Sequence, residues 1–333
     1  MDKCLFTVLC GLMLLCTACD RPQAGATSET FSVTFVLDSD GAESTRAATA
    51  VDETSIDNAC LYFVDEGGAV VDAVSVESNI VLRNFEVGTY KVYAVANCGV
   101  TERSFSSESE ISDCVRSLAS EAGAFSMVAT KTFSVPEDKT CNLTAERLVS
   151  KVEIDKISID FSQYPDLTAK TFTIDSIYLV NVAGQSTLAD GLDYIPASSS
   201  WINKRGYTQS QSDALVCEAV RRTVTKSSPH TVPHYFYCYQ NNTTTDSHAA
   251  AWSARHTRLV IACTLGTVKT YYPIDITGPG GRLARNCRYV INELVITDLG
   301  SSSPDQVITG SMPYNFSSEV KSWEGTHTIS ERF

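Results

Sequence analysis

Apolar and polar side chains alternate along most of this chain with the two-residue period of half-buried β-strands. The first clear instance is Phe31 to Leu37, where Phe31, Val33, Phe35 and Leu37 share one face. Runs of the same kind recur at 59–64, 69–76, 80–85 and 90–97, broken at Gly67-Gly68 and Gly88, and again at 131–135. A second set opens near residue 147. Val152 and Ile154 alternate in one phase and Ile157, Ile159 and Phe161 in the other, which predicts a bulge at Asp155-Lys156. Residues 172–182, 235–239, 258–263, 269–276 and 288–296 complete the predicted strands, with Gly278-Pro279-Gly280-Gly281 as a connection. Helical spacing is confined to two places. Ile111, Cys114, Val115 and Leu118 predict a short amphipathic helix over 109–122, and residues 213–222 a brief second one. Strands dominate without βαβ alternation, so the fold class expected is all-β: two β-sandwich domains joined near residue 147, with a short helix in the first.

The opening segment departs from this pattern. Lys3 precedes an apolar run, Leu5 to Leu15, of the length of a signal-peptide core and too short to cross a bilayer as a helix. Cys16-Thr17-Ala18-Cys19 follows it and resembles a bacterial lipobox, with Cys16 where an aliphatic residue is usual. The reading is an exported chain with residues 1–18 as the signal and lipid on Cys19; an ordinary secretory signal is the alternative. Net charge is −13 with a pI near 4.8. That balance argues against nucleic acid as a partner, which needs clustered Lys and Arg.

Of twelve cysteines, eight lie beyond Cys19, four in each half. In an exported chain this permits one or two disulfides, with Cys98–Cys114 the preferred pair. Cys238 and Cys263 lie in apolar runs that suit buried free thiols. Among these eight no CxxC pair or zinc-like cluster occurs, and no metal or cofactor is expected. His230 and His234 have ligand spacing, but Pro233 disfavours a helix there, and exposed loop histidines are the preferred account. Neither a phosphate loop nor a GxSxG elbow is present, and no catalytic residues are assigned.

Several segments together resemble the fimbrillin family, the subunits of type V bacterial pili. They are Gly88 to Asn97 (GTYKVYAVAN), Ile56 to Phe63, Arg147 to Val152, Phe172 to Val182, Tyr235 to Asn241 and Arg285 to Tyr289. The resemblance implies two transthyretin-like β-sandwich domains, here 47–146 and 147–333, preceded by a lipidated propeptide, 19–46. It implies transport to the outer membrane on the lipid at Cys19, then cleavage after Arg46 to leave Ala47 first. Loss of the first strand (Phe31, Val33, Phe35, Leu37) would open a groove for another subunit's C-terminal segment. The donor segment implied is 318–333, with Val320, Trp323, Ile329 and Phe333 as its apolar knobs. Partners would be other pilus subunits, the outer membrane and a host or bacterial surface receptor. The rival is a lipid-anchored binding module or pilus base that does not polymerise, with Tyr194, Trp201 and Trp252 available for sugar stacking.

Overall fold

The computed structural model describes residues 29–39, 53–189, 194–206, 214–246, 252–305, 313–322 and 328–329. Strands form where the alternation places them. The first part of the chain gives β1 (Thr30–Ser39), β2 (Ala59–Val64), β3 (Val70–Ser75), β4 (Ile80–Glu86) and β5 (Gly88–Ala96). A five-residue α1 (Glu108–Ser112) and a short β6 (Val115–Ser117) precede β7 (Met127–Val135) and β8 (Thr140–Arg147). Seven of these strands make one hydrogen-bonded path in the order β3-β2-β5-β7-β8-β1-β4. At the β7–β8 step only Met127 and Val128 pair with Arg147 and Glu146, so the path folds over there into two layers. The Phe35 ring of β1 lies 4.9 Å from Phe63 of β2 and 5.1 Å from Phe133 of β7, which closes the layers face to face.

The rest of the chain builds a second pair of layers. After β9 (Val149–Ile154) and β10 (Ile157–Ile159) comes a one-turn α2 (Pro165–Thr168), then β11 (Phe172–Val180), β12 (Val182–Ala183), β13 (Gln185–Thr187) and β14 (Trp201–Ile202). β15 (Cys217–Val224), β16 (His234–Tyr239), β17 (Arg258–Leu265), β18 (Val268–Asp275), β19 (Cys287–Ile296), β20 (Tyr314–Ser322) and β21 (Thr328–Ile329) follow. One sheet runs β16-β9-β19-β20-β21, with β10 also on β19, and the other runs β15-β11-β17-β18. The two sheets meet at Tyr314, whose hydroxyl donates to the Pro273 carbonyl at 2.5 Å. The chain is interrupted at Asp155-Lys156, but β19 keeps one register across the break, with Ile154 opposite Ile291 and Ile157 opposite Leu294, so the expected bulge inserts no extra residue. A single apolar cluster runs from Val33 to Tyr314 through both pairs of layers.

Three other expectations are corrected. The helix over 109–122 stops at Ser112, because Val115–Ser117 pairs with β13 and Leu118–Ala122 tightens into a 3₁₀ turn. Residues 217–224 are a strand, since their backbone completes the ladder on β11. All eight described cysteines are free thiols, so Cys98 and Cys114 are not joined. The Cys98 thiol instead donates to the Ala96 carbonyl at 3.2 Å, and burial pushes it up to about 11. Cys238 and Cys263 are the buried free thiols their sequence context suggests.

Candidate functional site

β1 is not an edge strand. Thr30–Val36 pairs antiparallel with β4, and Thr34–Ser39 pairs parallel with β8. Thr34, Phe35 and Val36 pair on both sides and the Leu37 amide donates to the Asn79 carbonyl at 2.8 Å, so the two ladders overlap only in the middle of the strand. Val33, Phe35 and Leu37 are buried, whereas Phe31 packs against the core from a half-buried position. Full burial of those three side chains is worth about 5–9 kcal/mol by apolar area, an upper estimate because the unfolded chain is not fully extended. Phe35 is the centre of a ring cluster with Phe63, Phe85 and Phe133. Beside it, Cys141 of β8 stands in register with Phe35, and burial raises its thiol above the usual range.

β4 depends on β1 entirely. Among the described residues it is the end strand of its path, and β1 is its only ladder partner. Its outward side chains Ile80 and Leu82 are more than half exposed. Withdrawing β1 would therefore strip both walls of the slot of hydrogen-bond partners, an arrangement that invites another strand.

Sequence reasoning overlooked one feature of the segment after β1. From Pro22 to Leu82 the chain contains a single basic residue, Arg46, and the preceding one, Arg21, is followed by proline. A protease specific for Lys and Arg thus has one productive bond between β1 and β2. The signal was available as a plain census of charge. Cys19, Arg46 and Ala47 lie outside the described residues, as do Trp323 and Phe333.

At the other end of the chain, β20 pairs antiparallel with β19 from Cys287↔Ser322 to Ile296↔Tyr314, with a shift between Ile291 and Glu293. β21 turns back on β20, so that Val320 and Ile329 are register partners. Of the donor segment expected over 318–333, the described residues 318–322 and 328–329 pair within their own sheet.

Two other candidates change character. His230 and His234 are buried rather than exposed: Nε2 to Nε2 is 2.7 Å, and His234 Nδ1 lies 2.7 Å from Glu218 Oε2. Pro233 excludes a helix but not the strand start at His234, which is what brings the rings together. Trp201 is also buried, its indole N–H donating to the Pro196 carbonyl at 3.1 Å, so packing rather than sugar stacking accounts for it. Trp252 leans on it at 5.8 Å between ring centroids. Among the described residues no group of three or more His, Cys, Asp or Glu is arranged to hold a metal ion.

No family model matches the chain, and no curated protein does. Solved structures do. A fimbrilin from Porphyromonas gingivalis W83 superposes with a TM-score of 0.60 at 17% identity, over 88% of this chain and 97% of that one. This is the fimbrillin fold. A candidate cell adhesion protein from Bacteroides eggerthii DSM 20697 shares that fold with a TM-score of 0.61 at 16% identity, over 89% of this chain and 97% of the other. Another candidate cell adhesion protein, from Parabacteroides distasonis ATCC 8503, gives 0.60 at 14% identity over 89% and 99%. The fimbrillin fold thus accounts for nearly the whole chain.

Proposed function

We propose that this chain is a non-enzymatic structural subunit of a type V fimbria, made as a lipoprotein and assembled by strand exchange. On this reading 47–146 and 147–333 act as two domains, and residues 19–46 are a propeptide carrying lipid on Cys19. The observation that carries the proposal is the position of β1: a core strand, among the described residues the sole ladder partner of β4, linked onward through a segment whose only basic residue is Arg46. A cut there would free β1 from the rest of the chain without severing any other strand. An unfilled slot would leave two rows of unpaired backbone groups, so release of β1 calls for a replacement. The supply is the C-terminal segment of a neighbouring subunit, whose counterpart here is 318–333. Adhesion follows from display of the polymer on the outer surface.

Sequencing the amino terminus of protein sheared from the cell surface tests this. Ala47 as the first residue is expected, and deletion of 318–333 should abolish polymers while leaving a folded subunit. Sheared polymer that retains β1 would refute the exchange. A second reading, a base subunit that keeps its first strand and its lipid, is favoured by one observation: β20 is paired on one edge with β19 of its own sheet. An acylated Cys19 on the mature protein selects that reading.

A further inference from the structure

The contact between the two halves of the molecule holds buried polar groups beside the buried Phe125–Tyr237 ring pair. Glu53, between β1 and β2, places its carboxylate among groups from the second half. Its Oε1 accepts from Lys151 Nζ at 2.8 Å and from the Tyr237 hydroxyl at 2.5 Å. The Glu53 carbonyl accepts from Arg147 Nε at 2.5 Å. Lys151 and Arg147 are fully buried, and Glu53 is only 8% exposed. A few residues on, Asn97 Nδ2 donates to the Ser55 carbonyl at 2.8 Å, and Asn97 Oδ1 accepts from the Asp57 amide at 2.9 Å. The chain is therefore pinned from Glu53 onward, seven residues past Arg46.

We propose that Glu53 is a latch that keeps the retained chain docked, and the two halves closed on each other, once the bond after Arg46 is cut. The inference rests on the maturation reading given above. Before the cut, residues between β1 and β2 are tethered at both ends, so releasing Glu53 gains little chain entropy. After it, the segment is a free end, and each residue that frays gains freedom. The buried Glu53 carboxylate then opposes fraying from that end together with the backbone bonds to Arg147 and Asn97, and losing it removes an ion-pair partner from the buried Lys151 ammonium.

The test crosses cleavage with substitution. Wild type, Glu53→Gln, Glu53→Ala and Tyr237→Phe are compared before and after trypsin, with amide hydrogen exchange read on 53–64. The uncut proteins should protect this stretch alike. After the cut, the wild type should keep its protection and the variants lose about tenfold or more. Equal loss in cut and uncut forms, or no loss in either, overturns the latch while leaving maturation untouched. Should Glu53→Ala fail to fold, Glu53→Gln and Tyr237→Phe carry the comparison. Mass analysis showing no cut at Arg46 overturns the maturation reading and the latch with it.

Discussion

Replacing Phe35 by alanine should loosen the first strand selectively. Its ring is fully buried and meets Phe63 at 4.9 Å, Phe133 at 5.1 Å and Phe85 at 6.0 Å. Truncating such a ring costs about 3–5 kcal/mol, combining lost transfer energy, lost ring contacts and the cavity left behind. If β1 leaves as a unit, that energy appears as a rise of about two to three and a half orders of magnitude in the open population. Cys141, beside Phe35 on β8, reports the opening, because its buried thiol must reach solvent to react. Labelling with a thiol reagent in mild urea, followed peptide by peptide, should show Cys141 accelerating. Cys263, buried in the other half, should stay protected. Ser32→Ala is the control on the same strand, where the side chain faces outward to Asn84, and its effect should stay under about 0.5 kcal/mol. Two results would refute the reasoning: Cys141 and Cys263 reacting in parallel, which means global unfolding, or Phe35→Ala behaving like Ser32→Ala.

Other outcomes follow from the second half. Asp305 accepts from Arg255 at 2.7 Å and Arg258 at 2.8 Å in a buried cluster, so Asp305→Ala should cost about 3–5 kcal/mol in denaturant unfolding. Burial and the neighbouring His234 and Arg222 hold His230 below its ordinary 6.5, against the opposing pull of Glu218. Its neutral form therefore adds stability above pH 6.5 that is lost as pH falls through the depressed value, and His230→Asn should flatten that acid-side decline in urea midpoints. His256, raised by Asp275, acts in the opposite sense and should be unaffected by that substitution. At Gly300 an added Cβ would meet Thr270 Oγ1 and the Tyr272 ring at 2.8 Å, so Gly300→Ala should lower the thermal midpoint, at a cost of about 1–3 kcal/mol.

The sheets were readable because alternation is a direct image of one-sided burial. Val33, Phe35 and Leu37 are inward for the reason their spacing suggests, and Asp155-Lys156 separates β9 from β10 without the inserted residue of a bulge. Failures cluster where distant partners decide. Residues 217–224 contain good helix formers, yet the open edge of β11 outbids their local preference. The apolar spacing from Ile111 to Leu118 is helical, but β13, some seventy residues away, captures Val115–Ser117. The two histidines looked solvent-facing because nothing nearby in sequence names Glu218 or each other's ring as a partner. Glu53 carried no local signal either: an acidic residue in a polar stretch declares its buried role only when β9 and β16 arrive beside it.

The junction at Leu148 has a mechanical consequence. β8, one wall of the slot around β1, ends at Arg147, and β9 begins at Val149, so a single residue separates them. β9 is bonded to β19, and β19 to β20. In a filament built by strand exchange, tension would enter at the slot, run down the covalent backbone across Leu148, and leave through two ladders to the tail. Strands pulled along their axes share load over many hydrogen bonds in shear instead of peeling one at a time. A fibre of such units should therefore resist stretching far better than the modest stability of any single sheet would suggest.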